Sequence, residues 1–179
     1  MSLLRDVITG LFKSIRGFRG AMQVVLLSLG FWQGKQFRAY REFTLSANQV
    51  VTLRLTATKP FLLQAQSLLL VGGDARAVIV TGATPAGTFT NITTLNPKYR
   101  IGMEPVSTVS IAAGGTITGG SEREVLLCAA STGGATKSAL GETQLAGTRG
   151  LPAATFYITI TAGANGATGL YSIEWEDLD

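Results

Sequence analysis

The sequence contains no histidine and a single cysteine, Cys128. Those two shortages exclude the Ser-His-Asp triad, the Cys-His dyad, histidine-based metal sites and a disulfide within the chain. Charge is also scarce: 15% of the 179 residues are Asp, Glu, Lys or Arg, against about a quarter in an average soluble domain. With 46% hydrophobic residues the chain is too apolar for intrinsic disorder. The candidate hydrophobic core near the start, Met22–Leu29 (MQVVLLSL), is far too short to span a bilayer. It also lies too far from Met1, and runs into Gly30-Phe31-Trp32, for a secretory signal; an organelle transit peptide over 1–20 is the weaker reading of the same Arg-rich start.

What is abundant is glycine and threonine, 22 of each, a turn-former and a strand-former. This composition predicts a β-rich, non-catalytic chain of one domain. Net charge is +4 but unevenly placed. Residues 1–42 hold seven basic and two acidic side chains, and residues 43–179 hold eight basic and nine acidic ones. The body therefore lacks the concentrated basic face that nucleic acid would need.

The periodicity of the chain changes once. Over the first twenty residues Leu3, Leu4, Val7, Ile8, Leu11, Phe12, Ile15 and Phe18 fall on one face at helical spacing, with Arg5, Asp6, Thr9, Lys13 and Arg16 on the other. Ser2 is a suitable N-cap, and Gly17 and Gly20 are suitable stops. This predicts an amphipathic helix. Three roles suit it: packing on its own β body, docking into a groove on a partner, or lying on a membrane surface. Leu4, Ile8, Leu11, Phe12 and Ile15 are its candidate partner-binding residues.

After residue 20 the period becomes two. Met22–Leu29 reads as a buried strand or link. Phe31 to Arg41 then mixes Trp32, Phe37 and Tyr40 with Lys35, Arg38 and Arg41, the composition of a protein contact and of a single-strand nucleic-acid platform. Trp32, Arg38 and Tyr40 are the candidate contact residues. Beyond it, strands are expected around a turn at Ala47-Asn48-Gln49, and as a hairpin of Phe61–Val71 with Ala75–Thr81 across Gly72-Gly73-Asp74. Further strands precede Asn96-Pro97, Gly114-Gly115, Gly119-Gly120 and Gly133-Gly134, and residues 135–150 read as a long loop. Thr155–Thr161 and Leu170–Glu176 alternate cleanly and are expected to pair as a hairpin over 162–169. Strands of this number and spacing predict an all-β fold, a β-sandwich of jelly-roll type preceded by one amphipathic helix. The domain reading is a helical arm at 1–20, a connecting and contact segment at 21–41, and a sandwich at 42–179.

Chemical motifs are weak. The glycine pairs match no phosphate-binding fingerprint, and hairpin turns explain them. Glu122, Glu124, Glu142, Glu174, Glu176 and Asp177 are the candidate carboxylates for acid–base or hard-metal chemistry, and their spacing is that of solvated strand edges. Cys128 lies in an apolar strand and is expected to be a buried free thiol. The expectation is no enzyme, no cofactor and no metal.

Several strings in the C-terminal half carry a likeness: Gly115-Thr116-Ile117-Thr118-Gly119-Gly120, Glu124-Val125, Arg149-Gly150-Leu151-Pro152-Ala153, and Gly166-Ala167-Thr168-Gly169-Leu170-Tyr171-Ser172-Ile173-Glu174-Trp175-Glu176. Together they resemble small glycine-rich β-sandwich virion proteins of short-tailed, podovirus-like bacteriophages, over roughly Arg41 to Glu176. The resemblance implies a virion structural protein present in many copies on a symmetric particle. Its role would be a head–tail or tail-side adaptor that attaches fibres, or a capsid decoration subunit. The implied partners are other virion proteins (portal, tail, fibre or capsid) and further copies of the chain. It carries over no catalytic residue. The alternative function is a peripheral membrane-binding protein that uses its basic amphipathic helix.

Overall fold

The computed structural model describes residues 31–99, 105–129, 139–142 and 149–178. The expected helix at 3–18, with Leu4, Ile8, Leu11, Phe12 and Ile15, lies outside the described residues, as does Met22–Leu29. Those that are described are nearly all strand: β1 (Gln36–Leu45), β2 (Val50–Ala57), β3 (Phe61–Thr81), β4 (Thr84–Ile92), β5 (Val109–Thr118), β6 (Ser121–Ala129), β7 (Ala139–Glu142), β8 (Arg149–Leu151) and β9 (Thr155–Asp177). All pairings are antiparallel within one sheet, in the order β4-β5-β2-β9-β3-β6, with β1 on β9 and β7 and β8 on β3. The all-β expectation holds.

Two expected hairpins are in fact two long strands. β3 runs through Gly72-Gly73-Asp74 and β9 runs through Ala162–Gly169 without reversing, and the two pair with each other from Phe61↔Asp177 to Thr81↔Phe156. β1 and β2 likewise do not pair together. Both lie along β9, β1 from Gln36↔Glu176 to Leu45↔Ala167 and β2 from Val50↔Thr161 to Thr56↔Thr155. The turn at Asn48, whose φ is +58°, therefore joins two strands in line. Its partner across the ladder is the stretch of β9 that skips register: Gly73 pairs with Ala167 and Ala75 with Ala162, so residues 163–166 bulge out.

Three ribbons thus bend along one crease, at residues 46–49, 71–75 and 162–166. Bulges and glycines are how long strands pass between packed layers. Gly73 and Gly166 both have φ of +74°, a backbone that a side chain would strain. Glycine pairs elsewhere act differently: Gly119-Gly120 does form the turn between β5 and β6, whereas Gly114-Gly115 lies inside β5 opposite a register shift in β4. The expected loop at 135–150 contains β7, and β8 begins at its end; both pair with β3.

The crease doubles the sheet over its own apolar face. Phe61, from the half that pairs with Asp177, meets Phe156, from the half that pairs with β2, edge to face at 6.1 Å between ring centres. Leu53, Leu55, Leu68, Leu70, Ile111, Ile160, Tyr171 and Trp175 share this core. Fully burying such a side chain contributes roughly 1.5–3 kcal/mol. Trp175 stacks on Phe37 at 6.0 Å and donates from Nε1 to Ser107 Oγ at 3.0 Å, so its polar atom is satisfied inside. Asp177 is buried beside it and accepts from the Thr108 amide at 2.7 Å and from Ser107 Oγ at 3.2 Å.

A second, smaller core lies on the outer face of β3 and β9. There Val78, Val80 and Tyr157 are covered by Ala83, Phe89 and Ile117 of the β4–β5 arm. Arg54 caps this cluster with its guanidinium 4.7 Å from the centre of the Phe89 ring.

Candidate contact surface

β1 begins at Gln36, so the last six residues of the expected contact segment belong to the sheet. Phe31–Gln33 are helical just before it, and the Gly34 amide closes a turn on the Phe31 carbonyl at 2.9 Å. The turn is clipped from across the chain. Asn96 is buried, donates from Nδ2 to the Gly34 carbonyl at 2.7 Å and accepts from the Lys98 amide at 3.0 Å. One residue earlier, Leu95 exchanges both backbone hydrogen bonds with Arg38, each 2.8 Å. The Lys98 ammonium donates to the Trp32 carbonyl and stands 5.5 Å from the centre of the Tyr99 ring.

On this frame the three described contact residues are exposed. Trp32 is 67% accessible with its ring edge-on to Phe31 at 5.5 Å, Tyr40 is 51% accessible, and Arg38 is exposed. Arg38 and Tyr40 occupy alternate positions of β1 and so share its outer face. Opposite them in register are Glu174 and Ser172 of β9. Phe37, read with the same segment, is instead core. Tyr99 and Lys98 add an aromatic and a cation that were not read from the sequence. The signal was present: they follow the Asn96-Pro97 turn with the same aromatic–cation mixture as 31–41.

Beside Tyr40 the surface falls into an open cleft of about 940 Å³. It lies between β1 (Tyr40–Glu42) and β4 (Thr90–Ile92), with Val51 and Ala113 also lining it. Past the Arg38–Leu95 bridge, β1 has no second ladder partner among the described residues.

The carboxylates read as candidate chemistry are dispersed. Glu122 pairs with Arg76 at 2.8 Å, and Glu124 with Arg149 at 3.3 Å. Glu176 accepts from Gln64 at 2.9 Å, and Gln64 in turn accepts from Gln36 at 3.2 Å. Partial burial pushes the Glu176 carboxyl above the usual carboxylate range, and the Gln64 hydrogen bond and the Lys35 charge pull it back only in part. Among the described residues no group of three or more metal-ligating acids or thiols converges, and no helix is long and apolar enough to cross a membrane. Cys128 is buried, as expected of its apolar strand.

One buried polar pair stands apart from the surface. Tyr171 donates to Gln66 Oε1 at 2.8 Å, and both residues are almost wholly inaccessible. Burial, with a smaller contribution from the Glu124 charge, holds the Tyr171 phenol far above its ordinary range. It is a neutral structural donor. No protein-family model, curated protein or solved structure is significantly similar to the chain.

Proposed function

We propose that this chain is a non-enzymatic structural subunit of a bacteriophage virion: a tail-side or head–tail adaptor that helps hold fibres, with capsid decoration as the other placement. The observation that carries the reading is the Trp32–Arg38–Tyr40 surface. Tryptophan, tyrosine and arginine dominate binding hot spots, and here all three stand in water on an ordered, clipped frame. A rigid anchor loses little side-chain freedom on docking. In this reading the doubled sheet is a jelly-roll-like scaffold, and the helical arm of residues 1–20 reaches a second virion protein. The likeness of 115–120, 124–125, 149–153 and 166–176 to small virion proteins supports the same class. Those strings build β8, the Gly119-Gly120 turn and the second half of β9, which are scaffold positions rather than a reactive site.

Quantitative proteomics of purified particles tests the proposal. A count on the order of hundreds of copies assigns decoration, and a small multiple of about six or twelve assigns tail or neck. Recovery only in the soluble host fraction, never with particles, overturns both. Co-sedimentation of the full chain with anionic vesicles, lost when residues 1–20 are removed, would favour a membrane-surface role instead.

A further inference from the structure

Arg38 and Leu95 exchange both backbone hydrogen bonds, which makes them the first rung of an antiparallel ladder between β1 and the chain that follows β4. Continued in register, that ladder would set Tyr40 against Thr93 and Glu42 against Asn91. Neither pair forms, and the cleft between β1 and β4 is lined by all four residues. It is held open from the β4 side. Thr90–Ile92 are in register with β5, and Phe89 is seated on the outer core against Tyr157 and beneath the Arg54 guanidinium. On the β1 side the register with β9 is unbroken from Gln36 to Leu45, so hydrogen-bonding direction alternates along the whole strand. Arg38 turns its main-chain N–H and C=O away from β9, to Leu95, and Tyr40 and Glu42 therefore turn theirs the same way, into the cleft. One side chain also breaks the pattern of β1. Its inward positions are Phe37, Ala39, Arg41, Phe43 and Leu45, and all but Arg41 are buried. Arg41 lines the cleft, and the ion pairs of the described residues, Arg76–Glu122 and Arg149–Glu124, do not involve it. Glu42, next in sequence, leaves from the opposite face of the strand.

We propose that this cleft receives an extended, acidic segment of a partner protein, which adds a strand to the free edge of β1 and sets a carboxylate against Arg41. In strand addition the main-chain hydrogen bonds supply affinity and the side-chain sites supply specificity. The bonds here would be those of Tyr40 and Glu42. The specificity site is Arg41, whose planar guanidinium takes a carboxylate through two parallel hydrogen bonds. Val51 and Ile92 line the cleft beside it and pack on the core. The segment that fits therefore carries one Asp or Glu with apolar residues two positions away, on the same face of its strand. The proposal rests on reading this side of the molecule as the contact surface, and it names what the partner contributes there.

Selection of a random-peptide library on the full chain tests it, with the best selected peptide as the probe. The expected peptides alternate as described, carry Asp or Glu, and on binding shift the amide signals of Tyr40 and Glu42 in the unmutated chain. Arg41→Glu should weaken the probe at least about tenfold and favour a copy with lysine in place of the acid. Arg41→Gln should weaken the probe without favouring lysine. Circular dichroism of both variants should be unchanged, since Arg41 is exposed. Methylating the peptide's backbone nitrogens one at a time should cost at least about tenfold at one position or more, because each methyl removes a ladder donor. Trp32→Ala should leave probe binding as it is. If nothing binds the cleft while Trp32→Ala still loses particle incorporation, strand addition falls and the contact surface stands. No selected peptide, selected peptides without an acid, amide shifts confined to other strands, indifference to Arg41→Glu, or tolerance of every N-methyl copy each overturns the proposal.

Discussion

Gly73 of β3 lies directly against the backbone carbonyl of Gly166 in β9, where a Cβ on Gly73 would overlap the oxygen. The contact sits on the crease, and both residues have φ of +74°. Two penalties would therefore add in Gly73→Ala: left-handed backbone strain and a collision with main chain that cannot rotate away. The expected loss is about 2–3 kcal/mol of unfolding free energy. Gly82→Ala separates the two, because Gly82 has φ of +69° but nothing within 4 Å of its missing Cβ. It should cost only about 1 kcal/mol. Denaturant midpoints of the two variants decide; equal losses would mean that the crease contact carries no weight.

Tyr171 gives the fold an alkaline limit. Its phenol is held neutral by burial, so the folded-state pKa is raised while the unfolded value stays near about 10. A raised folded pKa contributes stability that is fully present below the unfolded value and is lost as pH climbs above it. Stability should fall above pH ~10 through this residue. Tyr171→Phe should remove that portion of the decline, and cost about 1–3 kcal/mol at neutral pH by leaving Gln66 Oε1 buried without its donor. Unfolding curves from pH 8 to 11, with tyrosinate absorbance, measure both effects. A Tyr171 that ionises in the folded protein at the ordinary phenol pKa would contradict the argument.

The faces of the strands were legible in the sequence, and their paths were not. Tyr171, Ile173 and Trp175 alternate with Ser172, Glu174 and Glu176, and the inward set is buried as that pattern requires. Whether Gly72-Gly73 or Gly163–Gly166 reverses the chain or merely bends it depends on what pairs across the ladder. A glycine at positive φ serves a turn and a crease equally well. Tyr157 shows the same limit: the alternation puts it on the face opposite Phe156 and Ile158, yet it is buried too, against Phe89 of β4. The contact surface was half legible. Trp32, Arg38 and Tyr40 carried a compositional signal, whereas the Asn96 clip that fixes them is a long-range hydrogen bond with no local pattern.

That clip should be separable from the fold. Asn96→Ala removes the donor to Gly34 and the acceptor for the Lys98 amide, while the β3–β9 ladder is untouched. Amide hydrogen exchange at Gly34 and Lys98 should accelerate at least about tenfold, matching a local opening cost lowered by more than 1.4 kcal/mol. Exchange in the centre of β9 should stay as it was. Uniform acceleration across the sheet would show that Asn96 supports the whole fold rather than the Trp32 turn.

The helix expected over residues 1–20 and the Trp32 surface make different predictions about assembly, and particle incorporation reads them apart. Fully burying Leu or Phe at an interface is worth roughly 1.5–3 kcal/mol each. Leu11→Asp with Phe12→Asp should therefore weaken docking of the arm by more than about a hundredfold. The β sheet, whose described core includes no residue before Phe37, should fold as before. Trp32→Ala with Tyr40→Ala should also leave the fold intact, because both side chains are mostly in water. If the arm is the attachment element, the aspartate pair abolishes incorporation and the alanine pair only reduces it. The reverse order assigns attachment to the β1 surface. Loss of the sheet's circular dichroism signal in the aspartate pair would show instead that the arm belongs to the core, and the docking role of residues 1–20 would fall.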